Sequence, residues 1–129
     1  MTLEQLFERA KQARESAYAP YSKFKVGAAL LTKDGHVFDG CNVENASYGL
    51  CNCAERTAFF SAVAAGYSRD AFAALAVVGD TEGPIAPCGA CRQVIIELGG
   101  PDLAIRLGNL HGATRDTTAR EQLPDAFYL

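Results

Sequence analysis

The sequence predicts an α/β fold in which helices cover both faces of a mixed β-sheet. Three observations predict it: a helix followed by a β-hairpin, an almost continuously apolar run at 72–79, and alternating strands and helices in the second half. An apolar run of that kind is typical of a strand buried on both faces, and the alternation favours parallel neighbours in the sheet. With 129 residues, 49% of them hydrophobic, the chain has the size of one domain, and we assign 1–129 to it.

The first half of the chain predicts one helix and two antiparallel strands. A capping box opens the helix at Thr2, and apolar residues then recur at helical spacing as far as Ala19-Pro20. Two β-rich runs follow, at 24–32 and 36–43. The Asp34-Gly35 pair between them favours a tight hairpin.

The second half predicts two helices and at least two strands. A helix at 53–65 carries alanines along one face, which suits close packing in the core, and the buried strand at 72–79 follows it. A second helix at 88–98 and a strand at 103–107 come next. The pattern is weakest at 113–116, where a short edge strand is one interpretation. The predicted order, apart from that edge strand, is αββαβαβ.

The charge distribution favours a small ligand. The formal net charge is −3 and lysines and arginines do not cluster, whereas a protein that binds a phosphate backbone carries a basic patch. No apolar run approaches the roughly 20 residues that cross a bilayer, and the polar, helical start is unlike a signal peptide. We therefore expect a cytoplasmic protein with neither a nucleic-acid nor a membrane partner.

The chain has five cysteines, and in a reducing compartment these indicate metal binding or catalysis more than disulfides. The two histidines, His36 and His111, lie in polar, turn-like surroundings without ligand spacing to the cysteines, so we interpret both as surface residues. A metal site must therefore rely on sulfur. Cys41 and Cys51 are interpreted as buried packing groups and are excluded from that site.

The three other cysteines predict a zinc site. Cys88 and Cys91 are three residues apart at the start of a helix, so both sulfur atoms can point at one ion. Cys53, at the start of the other helix, would be the third ligand. Three protein ligands leave the fourth tetrahedral position for water, which is the catalytic form of a zinc site, and helix N-termini favour ionised thiols.

Two residues beside Cys53 complete the predicted chemistry. Glu55 is close enough to act as a general base toward a water on the metal and as an acid toward the substrate. A cysteine-ligated zinc with a non-ligand glutamate is the residue pattern of zinc deaminases. Three thiolates on a zinc dication leave a charge of −1, and we predict that Arg56 offsets it by donating hydrogen bonds to thiolate sulfur.

The chain resembles the small, homotetrameric, zinc-dependent cytidine deaminases of the cytidine/deoxycytidylate deaminase superfamily. The resemblance covers nearly the whole length and rests on segments 18–22, 24–29, 40–46, 53–57, 87–93 and 123–124. It implies an αβα sandwich around a five-stranded mixed sheet and one zinc ion per subunit. It also implies hydrolysis of cytidine and 2′-deoxycytidine to uridine, 2′-deoxyuridine and ammonia in pyrimidine salvage. The implied assembly is a homotetramer with shared active sites.

The resemblance further implies which residues bind the substrate. Asn42 and Glu44 would hold the ribose hydroxyls, and an amide and a carboxylate do supply donors and acceptors for a diol. Each could instead be an ordinary residue of a strand edge or turn.

The remaining expected contacts surround the nucleoside. Phe24 would pack on it and the main chain near Ala54 would read the pyrimidine, while Ala46, Tyr48 and Phe127 would come from other subunits. The two phenylalanines also fit plain roles in a core or interface.

Four alternative functions stay open at this point. A deaminase of an aminoacyl-nucleoside antibiotic such as blasticidin would share the scaffold, but that branch lacks the counterpart of Glu44. A deaminase of polynucleotides would need a basic groove. A zinc-stabilised binding module would hold the same metal without catalysis, and a thiol oxidoreductase would use Cys88 and Cys91 as a reversible disulfide.

Overall fold

In a computed structural model that describes residues 1–129, a five-stranded mixed sheet lies between one helix on one face and two helices on the other. The strand order is β2-β1-β3-β4-β5, with β3 and β4 parallel and all other neighbours antiparallel. The elements are α1 (Leu3–Arg14), β1 (Val26–Thr32), β2 (Val37–Cys41), a 3₁₀ turn (Tyr48–Leu50), α2 (Ala54–Ala64), β3 (Phe72–Gly79), α3 (Gly89–Gly99), β4 (Ala104–Gly108), β5 (Thr114–Thr118) and α4 (Ala119–Gln122). This architecture confirms the predicted αβα sandwich.

The core divides into two clusters because alternate residues of each strand face opposite sides of the sheet. In β1, Ala29 belongs to the smaller cluster, where Leu6 and Phe7 of α1 are buried. Ala28 and Leu30 belong to the larger cluster, which contains the buried apolar residues of α2 and α3. The two helices that carry the cysteines therefore share one face of the sheet.

Helix α2 lies unusually close to the sheet. Ala54 and Ala58 are completely buried, in agreement with the predicted alanine face. Gly40 of β2 permits this contact, since a Cβ atom there would lie 2.2 Å from the Ala54 carbonyl oxygen and 2.7 Å from the Ala58 nitrogen. The close approach fixes the position of the first turn of α2.

The predicted end of the first helix was wrong. Helix α1 ends at Arg14 and does not continue to Ala19-Pro20. The Tyr18 nitrogen donates to the Asn42 carbonyl at 3.0 Å, and the Tyr18 carbonyl accepts from the Glu44 nitrogen at 2.8 Å. These hydrogen bonds form an isolated β-bridge, which requires an extended backbone at Tyr18.

The hairpin strands are shorter than predicted. β1 begins two residues late, and β2 occupies only the middle of the predicted run 36–43. The Asn42 side chain organises the missing ends, because its Oδ1 accepts from the Val26 nitrogen at 2.8 Å and its Nδ2 donates to the Phe24 carbonyl at 2.7 Å. A side chain thus takes hydrogen-bonding groups that a regular ladder would use.

The C-terminal elements depart from prediction in smaller ways. β4 begins and ends one residue later than the predicted 103–107, and β5 extends beyond the predicted 113–116. Helix α4 was not predicted, and the Thr118 side chain caps it by accepting from the Glu121 nitrogen at 3.3 Å. None of the helices combines the length and the hydropathy that crossing a membrane requires.

Candidate active site

Three cysteine side chains meet where α2 and α3 begin. Cys53 and Cys88 are the N-cap residues of the two helices, so each helix starts one residue later than predicted, and Cys91 lies in the first turn of α3. The Sγ atoms of Cys53 and Cys88 are 3.8 Å apart, and all three Sγ atoms lie within 4.8 Å of one another. The structure therefore brings together the three predicted metal ligands.

The cluster fits a zinc ion. In a tetrahedral site with zinc–sulfur bonds of about 2.3 Å, neighbouring sulfur atoms are about 3.8 Å apart. The separation of the Cys53 and Cys88 sulfur atoms matches this value. Thiolates are soft ligands that zinc accepts readily, and the positive ends of two helix dipoles favour their ionised form.

Arg56 lies against the cysteine cluster as predicted, with its Nη2 atom 3.3 Å from the Cys53 Sγ atom. The hydrogen bond with Cys91, together with those from Arg56 and Cys88, lowers the pKa of the Cys53 thiol. The contact with Cys53 raises the pKa of Cys91. The Nε atom of Arg56 is buried and has no hydrogen-bond partner.

Glu55 is a buried acid beside the cluster. Glu55 is only 4% exposed, although it lies in the first turn of α2, a position where glutamates usually face solvent. Burial, followed by the charge of Cys53, raises the pKa of Glu55 to about 7. A carboxyl with this pKa exchanges protons readily at neutral pH.

One cavity joins Glu55 to the cysteine cluster. Its volume is about 360 Å³, within the range of about 300–1,000 Å³ typical of small-molecule sites. Its lining contains six of the residues assigned from the sequence: Phe24, Asn42, Cys53, Ala54, Glu55 and Cys88.

Four lining residues were missed by the sequence analysis: Val26, Thr81, Ile85 and Ala86. Three of them lie between β3 and Cys88. Their place in the sequence could have indicated this role, because the loop that connects β3 to the metal ligand Cys88 must pass beside the metal site.

Asn42 and Glu44 are separated in the chain's own structure. Asn42 lines the cavity, whereas Glu44 lies in a neighbouring cavity of about 260 Å³ that Tyr48 also lines. The Glu44 carboxylate accepts from the Tyr21 nitrogen at 2.9 Å and from the nitrogen and hydroxyl of Ser22. The Ser22 hydroxyl is the main cause that lowers the pKa of Glu44.

The other residues assigned to substrate contacts are exposed and lie outside the main cavity. Ala46 is exposed, Tyr48 is 75% exposed and Phe127 is 67% exposed. The Phe127 carbonyl accepts from Gln93 of α3 at 3.2 Å, which holds the C-terminal segment against that helix. Within one chain, these three side chains do not contribute to the cavity walls.

The prediction that Cys41 and Cys51 are buried was wrong, because both are half-buried. They are excluded from the cluster as expected. The Cys51 sulfur accepts from the Asn45 nitrogen at 3.3 Å, which is a polar role that a packing group would not have. His36 and His111 are exposed, in agreement with prediction.

A family model supports the same assignment. The model for the cytidine and deoxycytidylate deaminase zinc-binding region matches residues 1–106. The chain belongs to the cytidine and deoxycytidylate deaminase family. Membership confirms the predicted family and the prediction of a zinc-dependent deaminase.

Individual relatives match over almost the entire chain. A cytidine deaminase from Sporosarcina psychrophila is 56% identical over 127 residues, covering 98% of this chain and 92% of that protein. The crystal structure of a cytidine deaminase from Burkholderia pseudomallei is 71% identical, with a TM-score of 0.97, and covers 98% of this chain and 100% of its own. The cytidine deaminase structure from Mycobacterium tuberculosis is 43% identical, with a TM-score of 0.83 and coverage of 100% and 99%.

Proposed function

We propose that the chain hydrolyses cytidine and 2′-deoxycytidine to uridine and 2′-deoxyuridine, with release of ammonia, as a step of pyrimidine salvage. The observation that carries the proposal is a buried carboxyl, Glu55, beside a cluster of three cysteines whose sulfur atoms are spaced as zinc ligands are. The similar proteins from Sporosarcina psychrophila and Burkholderia pseudomallei bear the name cytidine deaminase, which supports this substrate class.

Cys53, Cys88 and Cys91 would hold one zinc ion per subunit. When bound, the ion supplies Lewis acidity that lets water act as a nucleophile at neutral pH. Arg56 offsets the excess negative charge of three thiolates through its 3.3 Å contact with Cys53. This compensation matters because excess negative charge on the ligands would weaken the Lewis acidity.

Glu55 would move the protons of the reaction. Water adds to C4 of the cytosine ring, the ring nitrogen N3 gains a proton, and the C4 amine leaves after gaining another. Glu55 would accept the first proton from the attacking water and deliver it to N3. It would then accept the second proton from the hydroxyl now on C4 and deliver it to the amine, ending in its original state. A pKa of about 7 suits both directions, because neither protonation form is strongly preferred at neutral pH.

The cavity wall would position the nucleoside. Phe24 offers an aromatic face to the ligand, and the main chain at Ala54 is at the start of a helix, where free N–H groups bind a carbonyl. The Asn42 amide uses one hydrogen on the Phe24 carbonyl and one lone pair on the Val26 nitrogen. A second hydrogen and a second lone pair are left for a ribose hydroxyl.

A homotetramer would bring the remaining residues to the site. Tyr48 and Phe127 expose most of their aromatic surface, which leaves both rings free to contact a neighbouring subunit. We propose that they, with Ala46, complete the active site of a neighbouring subunit. Glu44 would bind the ribose from the adjoining cavity.

The test measures the absorbance change and ammonia release when the zinc-loaded protein is incubated with cytidine, 2′-deoxycytidine or blasticidin. We expect turnover of both nucleosides. Reaction with blasticidin alone would select the antibiotic deaminase, and inertness toward all three would contradict the proposal.

The Glu55→Gln variant separates catalysis from metal binding. We expect kcat on cytidine to fall by about 10²–10⁴-fold while zinc is retained, because an amide cannot exchange protons in this role. Glu97→Gln, which changes an exposed glutamate of α3, is the matched control and should retain full activity. Equal activity of the Glu55 variant and this control would refute the assigned proton transfer.

A further inference from the structure

The loop between β3 and α3 forms one wall of the active-site cavity, and a buried asparagine outside the cavity lining donates hydrogen bonds to this loop. Thr81, Ile85 and Ala86 of this loop line the cavity. Asn109, which follows β4, is only 2% exposed although its side chain is an amide. A buried amide of this kind is costly unless its hydrogen bonds are all made.

The Asn109 amide connects two loops and uses its whole hydrogen-bonding capacity. Its Nδ2 atom donates to the carbonyl oxygens of Thr81 and Glu82, both at 2.9 Å. Its Oδ1 atom accepts from the nitrogens of His111 at 2.8 Å and Ala113 at 2.9 Å. An asparagine amide has two donor hydrogens and two acceptor positions, so every one is occupied.

A second contact between the same loops is weaker. His111 and Asp80 approach to 2.7 Å, but their side chains are 65% and 54% exposed. Exposed pairs of this kind contribute little to stability. A buried and fully satisfied polar group specifies one arrangement much more strongly. Asn109 is therefore the principal tie between the cavity wall and the turn after β4.

The metal end of the loop has an anchor of its own. Arg92 of α3 donates to the Pro87 carbonyl at 2.8 Å and to the Gln122 carbonyl at 2.8 Å. Cys88 is also the N-cap of α3 and accepts from the backbone of the first turn. Asn109 therefore holds the other end of the loop, where Thr81 lines the cavity.

We propose that Asn109 is a positioning residue for deamination: it fixes the part of the cavity wall at Thr81, against which the nucleoside binds. This inference rests on the function proposed above. Glu55 lies in α2 and Cys53 caps that helix, and no hydrogen bond of the Asn109 side chain reaches either of them. Loss of the Asn109 amide should therefore weaken substrate binding more than the chemical step.

The Asn109→Asp variant tests this inference with almost no change in shape. Its carboxylate can still accept from His111 and Ala113, but it loses both donors and turns lone pairs toward the Thr81 and Glu82 carbonyls. We expect the KM for cytidine to rise by more than about tenfold, since two hydrogen bonds are replaced by repulsion. kcat and zinc content should change by less than about threefold.

Thr32→Val is the matched control. Thr32 is 1% exposed, and its hydroxyl accepts from the His36 nitrogen at 2.8 Å in the β1–β2 turn. It lies at the opposite end of β1 from the cavity residue Val26, about 20 Å away along the strand. This variant should lower the melting temperature and leave KM unchanged.

The outcomes separate this inference from the proposed function. A wild-type chain that is inert toward cytidine refutes the proposed function. An active wild type with an unchanged KM in Asn109→Asp, or with the same KM rise in Thr32→Val, refutes the inference alone. If Asn109→Asp does not fold, the same comparison with the neutral Asn109→Ser variant decides it.

Discussion

Replacing Arg56 with alanine should weaken zinc binding without disrupting the fold. The guanidinium lies 3.3 Å from the Cys53 sulfur, and its contacts with Cys53 raise its own pKa, so it stays charged at any pH at which the protein is folded. The substitution removes the positive charge beside the ligand while alanine continues the α2 helix without strain. Three thiolates around a dication would then carry their excess negative charge uncompensated.

The size of the effect follows from this single contact. A hydrogen bond to a charged group contributes about 1.5–3 kcal/mol. Because about 1.4 kcal/mol corresponds to a tenfold change in affinity, the zinc Kd should rise by about 10–150-fold. The loss of outer contacts to metal ligands generally has an effect of about 10–100-fold, which agrees with this range.

The assay is a competition titration in which a coloured chelator draws zinc from the protein. Arg106→Ala is the control, because it removes an arginine that pairs with Asp116 at 2.7 Å. Its neighbours in β4, Ile105 and Leu107, face the cluster that contains α2 and α3, so the Arg106 side chain lies on the other face of the sheet, away from the cysteines. The control should bind zinc as tightly as the wild type. A zinc Kd for Arg56→Ala within threefold of the control would refute the charge compensation.

Three further predictions concern the metal, the packing of α2 and the effect of pH. Removing zinc with a strong chelator should abolish cytidine turnover, and added zinc should restore it, as measured by absorbance. Gly40→Ala places a Cβ atom 2.2 Å from the Ala54 carbonyl oxygen, so overpacking should lower the free energy of unfolding by about 1–3 kcal/mol in urea titrations. The hydrogen bond from Arg106 lowers the pKa of Asp116, so its stabilising contribution is present above the unfolded-state pKa and is lost as the pH falls through the folded-state pKa. Asp116→Asn should therefore be less stable than the wild type at neutral pH, and the difference should shrink below about pH 4 in the same titrations.

Each of these predictions has a clear contrary result. Full turnover after complete removal of zinc would exclude a catalytic metal. Unchanged stability of Gly40→Ala would mean that α2 can move away from the sheet at no cost. A stability difference for Asp116→Asn that is the same at acidic and neutral pH would exclude the ion pair as its source.

The metal cluster could be predicted because its geometry is local. Two cysteines three residues apart on one helix must lie close together, and a third cysteine beside a glutamate at another helix start completes a recognisable pattern. The alternation of strands and helices predicted the layers in the same way. These features depend on short spacings, which sequence patterns carry directly.

Contacts between distant segments could not be predicted. Helix α1 ends early because Tyr18 pairs with the segment near Val43, and β1 begins late because Asn42 binds its backbone with a side chain. The burial of Glu55 and the cavity wall at Thr81 depend equally on how separate elements pack. Local periodicity contains no signal for such contacts.

Zinc K-edge X-ray absorption of the zinc-loaded protein would show directly whether Cys53, Cys88 and Cys91 hold the metal. We expect three sulfur ligands at about 2.3 Å and one lighter oxygen or nitrogen ligand, which is the coordination of a catalytic site with an open position. Four sulfur ligands, or a coordination shell without sulfur, would contradict this expectation.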